Sequence, residues 1–173
     1  MIKQIGRINS PDLMGKDSFF TIIELEETHL IGNDPLTEIH RYWVPENCNI
    51  HDEDAYLEPL NDPDYNIRQH YALYRQRFHF LTATEITVAR QNLDLTLDEA
   101  ALILGLDVVK LSGIENHGSL QFFDQEILLR LLTEPDRLWQ YVQQYHTLIE
   151  LRATQRKIDV DQLFAKLEKI NIK

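Results

Sequence analysis

Apolar residues recur along the chain with two different periods, and the change of period separates a strand-forming part from a helix-forming part. Residues 19–26 (FFTIIELE) and 38–44 (EIHRYWV) are rich in β-branched and aromatic side chains, which favour strands. Residues 32–35 (GNDP) lie between these two runs and are typical of a turn. The pattern therefore predicts a β-hairpin.

A helical period begins after an acidic, irregular segment at 45–62. Asp62 offers an oxygen that can cap a helix, and Pro63 suits the first helical position, where no backbone N–H is needed. Four apolar residues then follow at spacings of four, three and four, and so share one face: Ile67, Tyr71, Tyr74 and Phe78. This helix is expected to complete an N-terminal region over residues 1–80.

Residues 81–134 are expected to be helical throughout, because capping signals alternate with short amphipathic stretches. Thr82 and Glu85 have the spacing of a capping box, and so do Thr96 and Glu99. In this motif each side chain bonds to a backbone N–H that has no partner within the first helical turn. Helices should therefore begin one residue after each threonine.

A short connection is expected after the second of these helices. Gly105 can adopt the left-handed conformation that ends a helix, and Asp107 can cap the helix that follows. That helix has apolar anchors at Leu111 and Ile114 and should end near Asn116. One more amphipathic helix completes the segment.

Residues 135–173 predict C-terminal helices. Four apolar residues share one face of a long helix: Leu138, Val142, Tyr145 and Ile149. This apolar stripe has two interpretations: it packs against a second copy of the chain as a dimerisation element, or it covers the chain's own core. The whole pattern predicts an α+β fold that is mostly α, with helices following an N-terminal hairpin.

Composition and the lengths of the apolar runs argue against a membrane or secreted protein. The 173 residues include 17 basic and 28 acidic side chains, for a net charge of -11. No apolar run approaches the roughly 20 residues of a membrane span, and the first residues lack the apolar stretch of a signal peptide. We therefore expect a cytoplasmic protein without a membrane partner.

Metal binding and catalysis are not predicted. Cys48 is the only cysteine, which excludes an intrachain disulfide and a zinc site built from several cysteines of one chain. His51, His70 and His79 could join Cys48, but no pair has a standard ligand spacing such as C-x₂-C or H-x₃₋₅-H. The sequence also lacks a nucleophile elbow, a phosphate-binding glycine loop and an HExxH motif, so we expect no metal, no cofactor and no enzyme.

Residues 95–118 (LTLDEAALILGLDVVKLSGIENHG) resemble the Xre (Cro-like) helix-turn-helix family. The usual family pattern is approximately Leu-Ser-Gln-Glu-Glu-Leu-Ala-x-Leu-Leu-Gly-Val-Ser, then a variable stretch and Ile-Glu-Asn-Gly, and this chain matches it without a gap. The flanking sequences FLTATEITVARQNLDLT and DQEILLRLLTEPDRLWQYV are similar to the carboxy-terminal half of MqsA-type antitoxins, so the resemblance covers about residues 80–142.

This resemblance implies that residues 81–134 form an Xre-type five-helix bundle and that 135–173 add further helices. MqsA-type antitoxins also carry an amino-terminal zinc-binding domain with four cysteines. Since this chain has only Cys48, the zinc site is not part of the resemblance.

The resemblance further implies that the helix at 108–116 enters the major groove of DNA. Lysine can reach guanine or phosphate, serine can bond to either, and valine can contact a thymine methyl group. Leu97 stands where the family often has a polar residue, and Gly113 offers no side chain. The candidate DNA-binding residues are Thr96, Leu97, Val108, Val109, Lys110, Ser112, Gly113 and His117.

The charges of the helix-turn-helix segment and of the C-terminal helices differ in sign. Residues 81–134 contain three basic and nine acidic residues, which is few cations for binding phosphates. Residues 135–173 contain seven basic and five acidic residues, and Lys166, Lys169 and Lys173 share a helical stripe. That stripe either supplies phosphate contacts or is a solvated helix face.

Two functional hypotheses follow. In the first, the chain is a sequence-specific transcriptional regulator, a homodimer on a palindromic operator, and by resemblance the antitoxin of a toxin–antitoxin pair that represses its own operon. In the second, the helix-turn-helix scaffold no longer reads DNA and binds a basic protein, such as a cognate toxin, through its acidic surface.

Overall fold

The computed structural model describes residues Met1–Lys169 and divides the chain into two compact units. The first unit is Met1–Phe78, and the second begins at His79. Among the described residues, the strands all lie in the first unit, and about half of the chain is helical. The fold is therefore α+β with the sheet at the N-terminal end, although its helical share is smaller than the sequence pattern suggested.

The first unit contains an antiparallel sheet of strands β1 (Lys3–Pro11), β2 (Asp17–Ile31) and β3 (Asp34–Pro45), in the order β1-β2-β3. The predicted hairpin corresponds to β2 and β3, which turn at Gly32 with a φ of 60°. Both strands are longer than the apolar runs that predicted them.

Strand β1 was not anticipated from the sequence. It pairs with β2 alone and is largely exposed, and the residues of its half-buried side include Gly6, Ile8 and Ser10. An edge strand with this composition lacks the alternation of apolar and polar residues on which strand prediction depends.

Helix α1 (Tyr65–Phe78) begins two residues after the predicted start at Pro63 and packs against β3. Its most buried residues are not those of the predicted apolar face, of which Tyr71, Tyr74 and Phe78 are only half-buried. Ile67, the first residue of that face, is 43% exposed. The buried residues of α1 are instead polar: Asn66, His70 and Arg75. Hydrogen bonds explain why Asn66 is buried. Its side chain accepts from the backbone N–H of Arg41 and donates to the Arg41 carbonyl, both at 2.8 Å.

The second unit is built from seven α-helices within its described part. They are α2 (Ala83–Asn92), α3 (Leu97–Leu104), α4 (Val108–Glu115), α5 (Phe123–Leu129), α6 (Pro135–Gln144), α7 (His146–Gln155) and α8 (Val160–Glu168). A 3₁₀ turn at Arg130–Thr133 joins α5 to α6. Residues 81–134 therefore contain four α-helices and this turn, and not the five helices that the resemblance implied. The predicted starts of α2 and α3 are confirmed, since both capping boxes form.

The predicted long helix after Pro135 was wrong, because the chain breaks at Tyr145 into α6 and α7. Tyr145 has φ −108° and ψ 20°, outside the helical range, and is 41% exposed. With this break, Val142 before it and Ile149 after it are both buried in the same core. Val142 and Ile149 therefore pack into the chain's own core, which is the second of the two interpretations of the stripe.

One hydrophobic core runs through the second unit, with members from every α-helix from α2 to α8. Its fully buried residues include Ile86, Leu102, Leu111, Leu138 and Leu163. Between Met1 and Lys169, no helix combines the length and the apolar character needed to cross a membrane.

Candidate functional site

The connection from α3 to α4 is fixed by local capping. The Thr96 hydroxyl accepts from the Glu99 N–H at 3.2 Å, and the Glu99 carboxylate accepts from the Thr96 N–H at 2.7 Å. Gly105 ends α3 with a φ of 70°, in the left-handed region, and the Asp107 carboxylate accepts from the Lys110 N–H at 3.0 Å. Short-range bonds therefore set both ends of the turn between the two helices.

Helix α4 has one face in the core and one in solvent. Leu111 and Ile114 are 0% exposed and anchor the helix, whereas Val109 is 75% exposed. Ser112 is half-buried and Asn116 is exposed, and the Asn116 amide donates to the Ser112 hydroxyl at 3.2 Å. Positions 109, 112 and 116 thus form a solvent-facing stripe at helical spacing.

Three of the candidate DNA-binding residues have structural roles. Thr96 uses its hydroxyl for the cap of α3. Leu97 and Val108 are partly buried and pack against the hydrophobic core. These side chains position α3 and α4, and Val109 presents much more of its surface to solvent.

Lys110 and Gly113 face the segment that follows α4. The Lys110 ammonium donates to the Leu120 carbonyl at 2.8 Å and lies 5.0 Å from the centroid of the Phe122 ring. A Cβ added at Gly113 would lie 2.9 Å from Oγ of Ser119, so this position has no room for a larger side chain unless Ser119 shifts.

His117 is the last of the candidate residues in the chain. It is exposed and has a φ of 61°, a conformation that is uncommon for residues other than glycine. Its backbone N–H bonds to the Ile114 carbonyl at 3.4 Å. His117 therefore belongs to the turn that ends α4 and leaves its imidazole at the surface.

Both arginines of residues 81–134 form ion pairs. Arg90 binds Glu115, and Arg130 lies 2.8 Å from Glu126. The hydrogen bond and charge of Glu115 outweigh the effect of burial and raise the pKa of Arg90. Together with the engagement of Lys110, these pairs involve all the basic residues of 81–134.

The lysine stripe of the C-terminal helices is only partly at the surface. Lys166 is partly buried, with its ammonium 2.9 Å from both carboxylate oxygens of Glu99, and Lys169 is exposed. Burial tends to raise the pKa of Glu99, but the Thr96 N–H and Lys166 outweigh it and lower the pKa. Lys173 lies outside the described residues.

Asn116 was not among the residues selected from the sequence, because it was interpreted only as a helix stop. It does cap the end of α4, and its exposed amide is on the same stripe as Val109 and Ser112. The spacing of seven residues from Val109, two helical turns, is the signal that would have identified it.

Groups with the chemistry of metal ligands occur in the first unit. Within the described residues, two sets of ligand atoms each lie within 4.8 Å of one another, and they share one histidine: Glu38, His40 and His70 form one set, and Glu27, His29 and His40 the other. Cys48 and His51, considered from the sequence, are exposed and belong to neither set.

The signal for these sets is the repeated Glu-x-His spacing at 27–29 and 38–40. On a strand, residues two apart share a face, and Glu27 is paired directly with Glu38 in the β2–β3 register. Both pairs therefore point to the same side of the hairpin. Ligand spacings typical of zinc ribbons could not detect this arrangement.

Comparison of the chain with protein-family models, with curated proteins and with solved structures finds no match.

Proposed function

We propose that the second unit is a DNA-binding domain in which α3 and α4 form a helix-turn-helix and α4 enters the major groove. The observation that carries this proposal is the two-sided character of α4. Its apolar side is fully buried at Leu111 and Ile114, whereas Val109 on its other side is 75% exposed. A short helix anchored in this way can present its outer face to a duplex.

The geometry of the connection supports the proposal. A helix-turn-helix joins two helices by a turn of three or four residues that often contains glycine, and here residues 105–107 form the turn. Ala100 and Ala101 are 0% exposed in the middle of α3. Small buried residues at this point allow the helices around α3 to approach closely.

The exposed stripe of α4 has side chains that can read base edges. The Val109 methyl groups suit a thymine methyl, Ser112 can donate or accept, and an asparagine such as Asn116 can form two hydrogen bonds with adenine. Each good two-point contact of this kind contributes about 1–3 kcal/mol of discrimination between bases. The proposed specificity therefore depends mainly on the stripe and less on Lys110, which bonds to Leu120.

The proposed biological role is transcriptional regulation. By the resemblance of residues 80–142 to MqsA-type antitoxins, the chain would be an antitoxin that represses its own operon and binds a cognate toxin. As a homodimer, it would present two copies of α4 about 34 Å apart, so the operator would be palindromic.

Binding to the DNA upstream of the chain's own reading frame tests the proposal. We expect fluorescence anisotropy to show at least about 10³-fold tighter binding to this duplex than to a scrambled duplex. The affinity should fall as salt is raised from about 50 to about 200 mM, because phosphate contacts release counterions. Equal affinity for both duplexes would rule out a sequence-specific regulator.

A pair of valine variants locates the interface. Val109→Glu places a negative charge on the exposed face of α4 and should weaken operator binding at least about tenfold. Val88→Glu adds the same charge at a 47% exposed position of α2 and should leave binding unchanged. Circular dichroism should show that both variants fold, since neither side chain is buried.

A second function is favoured by the charges of this segment. Residues 81–134 have three basic and nine acidic residues, and the basic ones are engaged with Glu115, Glu126 and Leu120. An acidic surface of this kind attracts a basic protein by electrostatic steering.

The two functions are separated by one comparison. If the second function is correct, the wild-type chain binds the basic protein that is encoded beside its own reading frame. It then binds the upstream duplex no more tightly than the scrambled one. In that case Val109→Glu does not change the binding of the basic protein. If the first function is correct, the wild type binds the upstream duplex selectively and Val109→Glu weakens that binding.

A further inference from the structure

We propose that Glu38, His40 and His70 form a binding site for a divalent transition-metal ion, with Zn²⁺ as the probe, which ties β3 to α1. The three ligand atoms lie within 4.8 Å of one another, and the side chains of these residues are 7%, 8% and 6% exposed. This inference concerns the first unit and is independent of the proposed DNA-binding function.

The fold brings these ligands together from distant parts of the sequence. Glu38 and His40 are two residues apart on β3, so their side chains lie on the same face of the strand. His70 comes from the buried polar residues of α1, 32 residues after Glu38. The Asn66 bonds to the Arg41 backbone hold α1 on this part of β3. The site is therefore built on a strand and a helix.

The separation of Glu38 and His40 suits two ligands of one ion, and His70 would have to move away from Glu38 to make room for it. His40 Nε2 lies 3.1 Å from Glu38 Oε1, and His70 Nδ1 contacts the same carboxylate oxygen. Two ligands bound to one tetrahedral zinc at about 2.0–2.1 Å are about 3.3 Å from each other. Small rotations of the three side chains would therefore bring their ligand atoms into the coordination sphere of one ion.

The surroundings of His40 orient it as a ligand. Its Nδ1 lies 2.7 Å from Glu27 Oε2 and 3.2 Å from the Tyr42 hydroxyl, which itself donates to Glu27. Because the Tyr42 hydroxyl gives its hydrogen to Glu27, both the Tyr42 oxygen and the Glu27 carboxylate can accept a hydrogen bond from Nδ1 of His40. We therefore place a ring hydrogen on Nδ1. With Nδ1 directed at Glu27, His40 would use Nε2, which faces Glu38, as its ligand atom.

A carboxylate that accepts from the second nitrogen of a ligating histidine is the usual support of zinc sites. Glu27 occupies this position, and so we assign Glu27 to the support of His40 and not to the ion itself. His29 stacks on His40 with 4.6 Å between the ring centroids, but its side chain is 46% exposed. We therefore place the ion with the buried set.

Imidazole nitrogens and a carboxylate are ligands that divalent zinc and iron accept. Three protein ligands would leave one position of a tetrahedral zinc ion for water or another small ligand. Since both β3 and α1 would contribute ligands, the ion would also join the two elements and stabilise the first unit against unfolding.

Zinc titration of the full chain tests the proposal. After treatment with a chelator, calorimetry with Zn²⁺ should show about one site per chain, and the unfolding temperature should rise with zinc concentration. Glu38→Gln and His70→Gln should each weaken binding at least about tenfold, and Glu27→Gln should weaken it by about 10–100-fold because it supports His40. His51→Gln, an exposed histidine outside the set, is the matched control and should not change it.

Nitrogen-15 NMR of the wild-type histidines provides a readout that does not depend on the folding of variants. Zinc should shift His40 Nε2 and His70 Nδ1, while His51 should be unaffected. The proposal is overturned if the wild-type chain binds no zinc, in which case the cluster is a network of ion pairs alone. It is also overturned if zinc shifts His29 and the Nδ1 atom of His40 instead, or if the glutamine variants bind as the wild type does.

Discussion

Arg90 and Glu115 join α2 to the last residue of α4 through two parallel hydrogen bonds, 2.8 Å from Nε to Oε1 and 2.7 Å from Nη2 to Oε2. The side chains are 13% and 6% exposed, and Arg90 also donates to the Leu95 carbonyl at 2.8 Å. This fork-shaped pair holds the C-terminal end of α4, while Leu111 and Ile114 hold its apolar side. The direction in which α4 points therefore depends on charge pairing as well as on packing.

Removing Arg90 should destabilise the chain more than removing the whole pair. Arg90→Met leaves the buried Glu115 carboxylate without its partner, and we expect the free energy of unfolding to fall by about 3 kcal/mol. Arg90→Met combined with Glu115→Leu should recover most of this loss, because no buried charge remains. Urea denaturation of the single and double variants measures both effects, and a double variant as unstable as Arg90→Met would contradict this explanation.

Stability should depend on Glu99 as the solution becomes acidic. The lowered pKa of Glu99 means that folding favours its charged form, so its contribution is complete above the ordinary pKa, about 4.3. This contribution is lost as the pH falls through the lowered pKa of the folded state. The difference in unfolding free energy between the wild type and Glu99→Gln should thus be largest near neutral pH and decrease below about pH 4.

The control for this measurement is Glu168→Gln, which removes an acid from an exposed position of α8. We expect it to change the free energy of unfolding by less than about 0.5 kcal/mol at neutral pH. If the difference between the wild type and Glu99→Gln were the same well below pH 4 as at pH 7, the bonds to Thr96 and Lys166 would not be the cause of its effect.

Two neighbouring residues of α1 should show that its polar face is the important one. Asn66→Ala removes the bonds to Arg41 and should reduce the free energy of unfolding by about 2 kcal/mol. Ile67→Ala, at a position that is 43% exposed, should cost less than about 1 kcal/mol. Thermal or urea unfolding of both variants measures the difference, and a larger loss for Ile67→Ala would restore the apolar face predicted from the sequence.

The starts of α2, α3 and α4 and the ends of α3 and α4 could be predicted from the sequence because the bonds that fix them are local. A capping box joins residues three positions apart, as Thr96 and Glu99 do. The left-handed Gly105 likewise depends on its own backbone and the turn beside it. The same local chemistry identified the hairpin, but not β1, whose pairing with β2 compensates for its few apolar residues.

The amino-acid sequence by itself determined where α2, α3 and α4 begin and where the hairpin turns, because those signals act within a few residues. Only the tertiary structure decided which residues of α1 are most buried and that the helix after Pro135 breaks at Tyr145. It also decided that His70 meets Glu38, 32 residues away. Such contacts depend on how distant elements pack and satisfy each other's polar groups, and spacing along one element does not contain that information.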